Sequence, residues 1–256
     1  GEMACGEFGE GKMSSPRQIF AHLKDYFNKK NIVKMKNWKA IVTTGPTREY
    51  IDPVRYISNE SSGKQGYEIA IALNKLGITT TLIAGPSNLI SPKGLKVKKI
   101  TTADEMLDEV KKSLPVDLVV CAAAVTDFKP VKKNKNKIKK ENINLQSIAF
   151  VKNNDILEYI SKNNKHRPRL VAGFSAETEN LTKNSIIKMK RKHCDIIFAN
   201  DVSQKDIGFN SDYNMVSVIN KKGDVKIIPK NKKSFIANKI AEILLDKLLI
   251  NDRNIN

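Results

Sequence analysis

One stretch constrains this chain more than any other: Thr44–Gly66, TGPTREYIDPVRYISNESSGKQG. It follows an apolar run, Lys39-Ala40-Ile41-Val42-Thr43, that reads as a buried parallel strand. It ends in Ser61-Ser62-Gly63-Lys64-Gln65-Gly66, which opens an amphipathic helix marked by Tyr67, Ala70, Ile71, Leu73 and Leu76. Strand, long polar loop and Ser/Gly-rich helix start are the parts with which an α/β protein holds an anion. Free backbone N–H groups and the positive end of the helix dipole point at the ligand. Arg48, Glu49, Asp52, Arg55 and Glu60 crowd the loop, more charge than a plain crossover carries.

Neither common phosphate loop is present. A Walker A needs Gly five residues before its Gly-Lys and Ser or Thr after the Lys, whereas Ser58 and Gln65 stand there. The dinucleotide fingerprint needs G-x-G-x-x-G directly after the strand, and Gly45-Pro46-Thr47 does not supply it. The plain alternative is that Ser61, Ser62 and Gly63 only cap a helix. Capping explains the serines but leaves Asp52, Arg55 and Asn59 without a reason.

Strand and helix patterns then alternate, which predicts an α/β fold: a Rossmann-like, mostly parallel sheet with helices on both faces. Strands are expected at 39–44, 79–84, 96–100, 117–122, 169–174 and 194–199, with helices near 64–76, 102–113, 154–162 and 182–192. Residues 138–150 read as a small β excursion, 215–228 as a hairpin, and 231–249 as a helix with an apolar stripe through Ile236, Ile240, Ile243, Leu244 and Leu248.

The formal charge of +18 raises a nucleic-acid function. Its basis weakens that reading. Only Arg17, Arg48, Arg55, Arg167, Arg169, Arg191 and Arg253 are arginine, and the remaining Lys excess accompanies many Asn and Ile, the pattern of AT-rich codons. No aromatic-interleaved basic stripe or zinc-finger spacing occurs. Cys5, Cys121 and Cys194 are odd in number and widely spaced, which argues for a reducing, cytoplasmic compartment and against a disulfide frame. His22, His166 and His193 form no catalytic or metal-ligand spacing. No apolar run approaches the roughly 20 residues that span a bilayer, so no membrane partner is expected.

Five further segments join the loop in a consistent order: Ala122–Phe128 (AAAVTDF), Lys137–Lys140 (KIKK), Ala172–Thr178 (AGFSAET), Phe198–Ser203 (FANDVS) and Gly208–Asp212 (GFNSD). With Thr44–Glu49, Ile51–Asn59 and Ser61–Gly66, they resemble phosphopantothenate–cysteine ligase, the synthetase half of a bifunctional coenzyme A biosynthesis protein. The resemblance runs from about residue 37 to about 250. It implies ligation of 4′-phosphopantothenate to L-cysteine, driven by CTP through an acyl-cytidylate. Mg²⁺ would arrive with the triphosphate, and the enzyme would be a homodimer. A ligase domain over 37–251 and a tail over 252–256 follow.

By the same resemblance, Lys137 stabilises the α-phosphate and Asn59 contacts the acyl intermediate. Ser61, Ser62, Gly63, Ala123, Ala124, Asp127, Val151, Lys152, Asn153, Asn154, Phe174, Lys188 and Lys192 bind the nucleotide. Asp52 and Arg55 either order the loop or reach the substrate phosphate. Each role has a plainer rival: a solvated Lys run around Lys137, a helix-capping Asn59, a core Phe174. Asn154 stands where the family usually has Pro. Lys188 and Lys192, four apart, share a helix face and repel unless an anion sits between them.

Residues 1–36 differ. Cys5–Met13 (CGEFGEGKM) resembles the substrate clamp of the partner decarboxylase, so this part reads as a remnant plus linker with a helix near 17–28. FMN and decarboxylation belong to a flavin domain expected to be missing. Two other classes remain as rivals: a nucleotide-cofactor oxidoreductase on the same fold, and a non-enzymatic basic module.

Overall fold

The computed structural model describes residues 14–23, 37–139, 148–163, 165–203, 207 and 211–253. The chain forms two compact units, Gly1–Asn37 and Trp38–Asn256. In the first, helix α1 covers 16–23. Pro16 sits at its first position, and Ser15 and Gln18 exchange backbone-to-side-chain hydrogen bonds of 3.0 and 3.3 Å, a capping box. Residues 24–28 of the expected helix, and Cys5, lie outside the described residues.

The second unit runs β1 (Lys39–Thr44), β2 (Arg48–Tyr50), β3 (Tyr56–Ser58), α2 (Lys64–Lys75), β4 (Thr79–Ala84), β5 (Lys96–Lys99), α3 (Ala103–Ser113) and β6 (Leu118–Cys121). It continues with β7 (Phe128–Pro130), β8 (Phe150–Lys152), α4 (Ile156–Lys162), β9 (Leu170–Glu177), α5 (Leu181–Lys192) and β10 (Ile196–Asp201). A hairpin, β11 (Tyr213–Asn220) and β12 (Val225–Lys232), leads directly into α6 (Lys233–Arg253).

Eight strands form one sheet in the order β12-β11-β10-β9-β6-β1-β4-β5. The six from β10 to β5 are parallel, and β11 and β12 add an antiparallel edge. The chain winds outward from β1 through β4 to β5, then returns to place β6 on the other side of β1. The order therefore reverses between β1 and β6, and a crevice opens at their carboxyl ends, where open α/β sheets bind ligands.

Alternation along the strands sorts the two faces. Ile41, Ile83, Val119, Val171 and Ile197 pack with Met106, Leu107 and Val110 of α3, Ile156, Leu157 and Ile160 of α4, and Met189 of α5. Helices α2 and α6 pack on each other, α2 against β1 and β4 and α6 against β9 and β11, where they cover the opposite face. Fully burying each such side chain is worth about 1.5–3 kcal/mol. Helix α3 begins with a Thr102/Glu105 capping box, and the buried carboxylate of Glu49 also accepts the Ala103 N–H at 2.8 Å.

The structure adds elements that periodicity did not mark. The polar loop after β1 contains the short hairpin β2–β3, and β7 pairs with β8 in a second two-stranded sheet. The expected excursion at 138–150 thus resolves into β8 at its far end, with 140–147 outside the described residues. Helix α6 continues to Arg253, through residues expected as tail, because no Gly or Pro stops it before the chain ends.

Candidate active site

The floor of the crevice is the contact between β1 and α2. Thr44 Oγ1 donates to the Gly63 carbonyl at 2.6 Å. Gly63 is the helix N-cap, with φ of 76°, a region that favours glycine. Gly66 lies so close to β1 that a Cβ there would stand 2.3 Å from Thr44 Oγ1. No side chain caps α2. The Ser61 and Ser62 hydroxyls accept the Gly63 and Lys64 N–H groups, at 3.3 and 3.5 Å, short of Gln65 and Gly66, the second and third helical residues that a cap serves. Its first-turn donors therefore face the crevice, an anion-binding arrangement.

Above this floor, the β2–β3 hairpin anchors the lysine-rich loop. Asp52 is fully buried. Its Oδ1 accepts the Val54 and Arg55 N–H groups at 2.9 and 2.8 Å. Its Oδ2 accepts Arg55 Nε at 2.9 Å, a second guanidinium N–H, and the Ile138 N–H at 3.2 Å. Arg55 also donates to the Ile138 carbonyl at 2.9 Å. The Arg55 guanidinium, outweighing burial and joined by the backbone donors, holds the Asp52 carboxyl well below the usual carboxylate range. Of the two roles open to Asp52 and Arg55, the geometry carries the ordering of the loop. The Asn134 N–H bonds to the Ile51 carbonyl at 2.9 Å, and Lys133 lies 5.1 Å from the Tyr50 ring centroid. Lys137, next to the anchored Ile138, is exposed and lines neither cavity of the crevice.

Two adjoining cavities, of about 140 and 280 Å³, occupy the crevice and share Ala123, Val125, Asp127, Phe174 and Lys188. Ser61, Ser62, Gly63 and Ala124 line the larger one, and Asn153 and Asn154 the smaller. Phe174 packs at 5.4 Å between centroids against the buried Phe198. Asn59 donates its amide to the Ala124 and Val125 carbonyls, at 3.3 and 3.1 Å, so it fixes the β6–β7 segment. Asn153 donates its amide to the Thr126 carbonyl at 2.8 Å, while its backbone N–H holds the Asp127 carbonyl at 2.8 Å. The Oδ1 atoms of Asn153 and Asn200 are buried and without a hydrogen-bond partner, one in each cavity. Buried acceptors are rarely left so, and a ligand N–H or O–H would satisfy them.

Other expected residues stand apart. Val151 and Lys152 are exposed on β8 and line neither cavity. Lys192 is buried and bridges to Asp155 at 2.6 Å and Glu158 at 2.9 Å, which joins α5 to α4. Burial works against its charge, but these bonds outweigh it and leave its pKa raised. The bonds from Lys162 and Lys192 pull Glu158 down to about 2. Lys188 and Lys192 therefore need no anion between them. Cys121 and Cys194 are free thiols whose pKa burial raises, Cys194 to about 12, and neither is poised as a nucleophile.

Lys64, Asn200, Asn214 and Lys233 line the larger cavity without having been marked from sequence as binding residues. Lys64 and Lys233 are lost among many lysines, and their one local signal is a Lys opening a helix with no acidic residue in its first turn. Among the described residues, no group of three His, Cys, Asp or Glu could hold a metal ion, and no helix is long and apolar enough to cross a membrane.

The family model for the DNA/pantothenate metabolism flavoprotein C-terminal domain matches residues 35–248. The coenzyme A biosynthesis bifunctional protein CoaBC of Haemophilus influenzae is 41% identical over 245 residues, 95% of this chain and 60% of that protein. Its Escherichia coli K12 counterpart is 39% identical over 252 residues, 97% of this chain and 60% of that protein. The chain thus spans about three fifths of these curated relatives. A crystal structure of the C-terminal domain of CoaBC superposes with a TM-score of 0.70 at 30% identity, covering 87% of this chain and 99% of that one. The chain belongs to the DNA/pantothenate metabolism flavoprotein C-terminal domain family, the phosphopantothenate–cysteine ligase family that its loop motifs resemble.

Proposed function

We propose that this protein ligates 4′-phosphopantothenate to L-cysteine at the expense of CTP. The observation that carries the reading is the crevice at the β1/β6 reversal, whose two adjoining cavities are lined by an uncapped helix start, three lysines and two asparagines with unsatisfied amide oxygens, one in each cavity. A carboxylate is a poor electrophile. Its oxygen would attack the α-phosphorus of CTP, forming the acyl-cytidylate and expelling pyrophosphate. The neutral amine of cysteine would then attack the acyl carbon; the C–O bond breaks, CMP leaves with the electron pair, and the amine proton passes to solvent. Such chemistry asks the protein for positioning and charge neutralisation rather than covalent work.

In this reading the α2 amino end, Ser61, Ser62 and Lys188 take phosphate charge, and Phe174 stacks on the base. Asn59 and Asn153 set the walls. Lys137 reaches the α-phosphate from the loop that Asp52 and Arg55 anchor. Mg²⁺ would shield the triphosphate; Asp127 lines both cavities and Asp155 the smaller. One carboxylate plus substrate phosphates is a usual Mg²⁺ set. A homodimer is supported by the apolar side chains that the β7–β8 sheet exposes, Phe128, Phe150 and Val151, with Val131 beside them. A cytoplasmic location follows the metabolic role of the relatives. The proposal covers ligation alone; FMN and decarboxylation belong by resemblance to another domain.

Pyrophosphate release from CTP, ATP, GTP and UTP, each with Mg²⁺, 4′-phosphopantothenate and cysteine, tests the reading. Release that requires phosphopantothenate and prefers CTP is expected. Preference for ATP would overturn the nucleotide, and no release from folded protein would overturn the ligase.

A further inference from the structure

We propose that a groove beside the crevice receives the body of 4′-phosphopantothenate and that Arg48 binds its phosphate. The inference rests on the ligase reading for the identity of the ligand. The groove has a volume of about 480 Å³, more than either cavity of the crevice. It lies beyond the carboxyl ends of β1 and β4, between the Pro46–Arg48 segment, the turn from β3 into α2, and the Pro86–Leu89 loop. Asn59, Ser61 and Ser62 line both the groove and the larger cavity, so the two spaces meet at a common rim.

The walls of the groove are pinned. Ser58 Oγ donates to the Thr47 carbonyl at 2.8 Å, Ser87 Oγ to the Ser62 carbonyl at 3.0 Å, and the Leu89 N–H to Ser87 Oγ at 3.2 Å. The Arg48 N–H donates to the Thr101 carbonyl at 2.8 Å, and its guanidinium lies 4.6 Å from the Tyr56 ring centroid. Among the described residues that guanidinium forms no hydrogen bond or ion pair. Its planar fork of N–H donors, steadied by the ring, suits a phosphate. Arg55, the other arginine of the same loop, is committed to Asp52 and Ile138. Glu60 also lines the groove, but it is exposed, and solvent screens its repulsion. The substrate has a matching order. Its carboxylate must reach the start of α2, where Ser61 and Ser62 stand at the shared rim, and its phosphate lies at the opposite end. A carboxylate at that rim carries the phosphate into the groove. Pro46, Pro86 and Leu89 offer an apolar wall for the dimethyl carbon between the two ends.

Calorimetric titration with phosphopantothenate, with pantothenate, which lacks the phosphate, and with Mg²⁺–CTP tests the assignment. The wild type should bind phosphopantothenate at least about tenfold more tightly than pantothenate. Arg48→Met should remove most of that preference: phosphopantothenate weakens by about tenfold, while pantothenate and CTP stay within about threefold. A merely structural role would weaken all three alike. Tyr56→Leu, which takes away the ring and leaves the charge, should shift the preference in the same direction by less. Folded Arg48→Met that keeps the wild-type preference, or a wild type that binds pantothenate as tightly as phosphopantothenate, would overturn the assignment and leave the ligase standing. Equal loss for CTP in Arg48→Met would do the same, because it ties Arg48 to no single substrate. A wild type that binds none of the three and releases no pyrophosphate would overturn both.

Discussion

Asp52 and Ile138, 86 positions apart, are joined by a 3.2 Å hydrogen bond from the Ile138 N–H to Asp52 Oδ2. Arg55 closes the triangle by bonding the Asp52 carboxylate and the Ile138 carbonyl. The loop that carries Lys137 is therefore held by a carboxylate from the hairpin after β1. Lys137→Gln should abolish pyrophosphate release with the fold intact. Asp52→Asn should cut release by about tenfold through misplacement of Lys137, since small displacements near the chemistry are costly. Circular dichroism and pyrophosphate assays check both. Unchanged rates in Asp52→Asn would show that the loop is held by other means.

Acid stability should report the same carboxylate. Asp52 titrates below its ordinary value in the folded protein because Arg55 and the backbone donors favour its charged form. The linked stability is therefore fully present above the unfolded pKa near 4 and is lost as pH falls through and below it. Glu109 and Glu158 are lowered in the same sense, so the wild type carries several such contributions. Melting temperatures between about pH 6 and about pH 3 should fall less steeply in Asp52→Asn than in the wild type. Parallel curves would contradict the assignment.

Gly66 permits the contact of α2 with β1. A Cβ there would meet Thr44 Oγ1 at 2.3 Å and Thr44 Cβ at 2.5 Å, and neither can swing away as a long side chain could. Gly66→Ala should cost about 1–3 kcal/mol by overpacking. Because the same shift moves the α2 amino end, CTP binding should weaken as well. Denaturant titration and calorimetry measure the two effects. A variant as stable and as tight-binding as the wild type would exclude the close approach.

Lys188 and Lys192 should separate cleanly. Lys188 lines both cavities, whereas Lys192 is bound by Asp155 and Glu158 between α5 and α4. Lys188→Met should raise the KM for CTP by about tenfold with little change in Tm. Lys192→Met should lower stability by about 1–3 kcal/mol, between the costs for exposed and buried pairs. Its effect on KM should be the smaller. The reverse ranking would return Lys192 to the nucleotide site.

The sequence by itself determined the elements that local chemistry encodes. Runs of apolar and β-branched residues marked β1 and β4 at their observed bounds, because a strand covered on both faces selects such side chains at nearly every position. The Ser/Gly-rich helix start after β1, and the order of motifs along the chain, likewise identified the crevice and its family. The tertiary structure decided what depends on contacts between distant positions. Hairpin β2–β3 has three-residue strands, too short for a period to show, and exists because Asp52 binds Arg55 and Ile138. Lys192 leaves the cleft because Asp155 and Glu158 come within reach across two helices. Lys233 enters it because α6 lies on α2, which buries one lysine among many. Strand and helix periods follow from neighbouring residues, but the partner of a charged side chain is fixed only once the chain has folded.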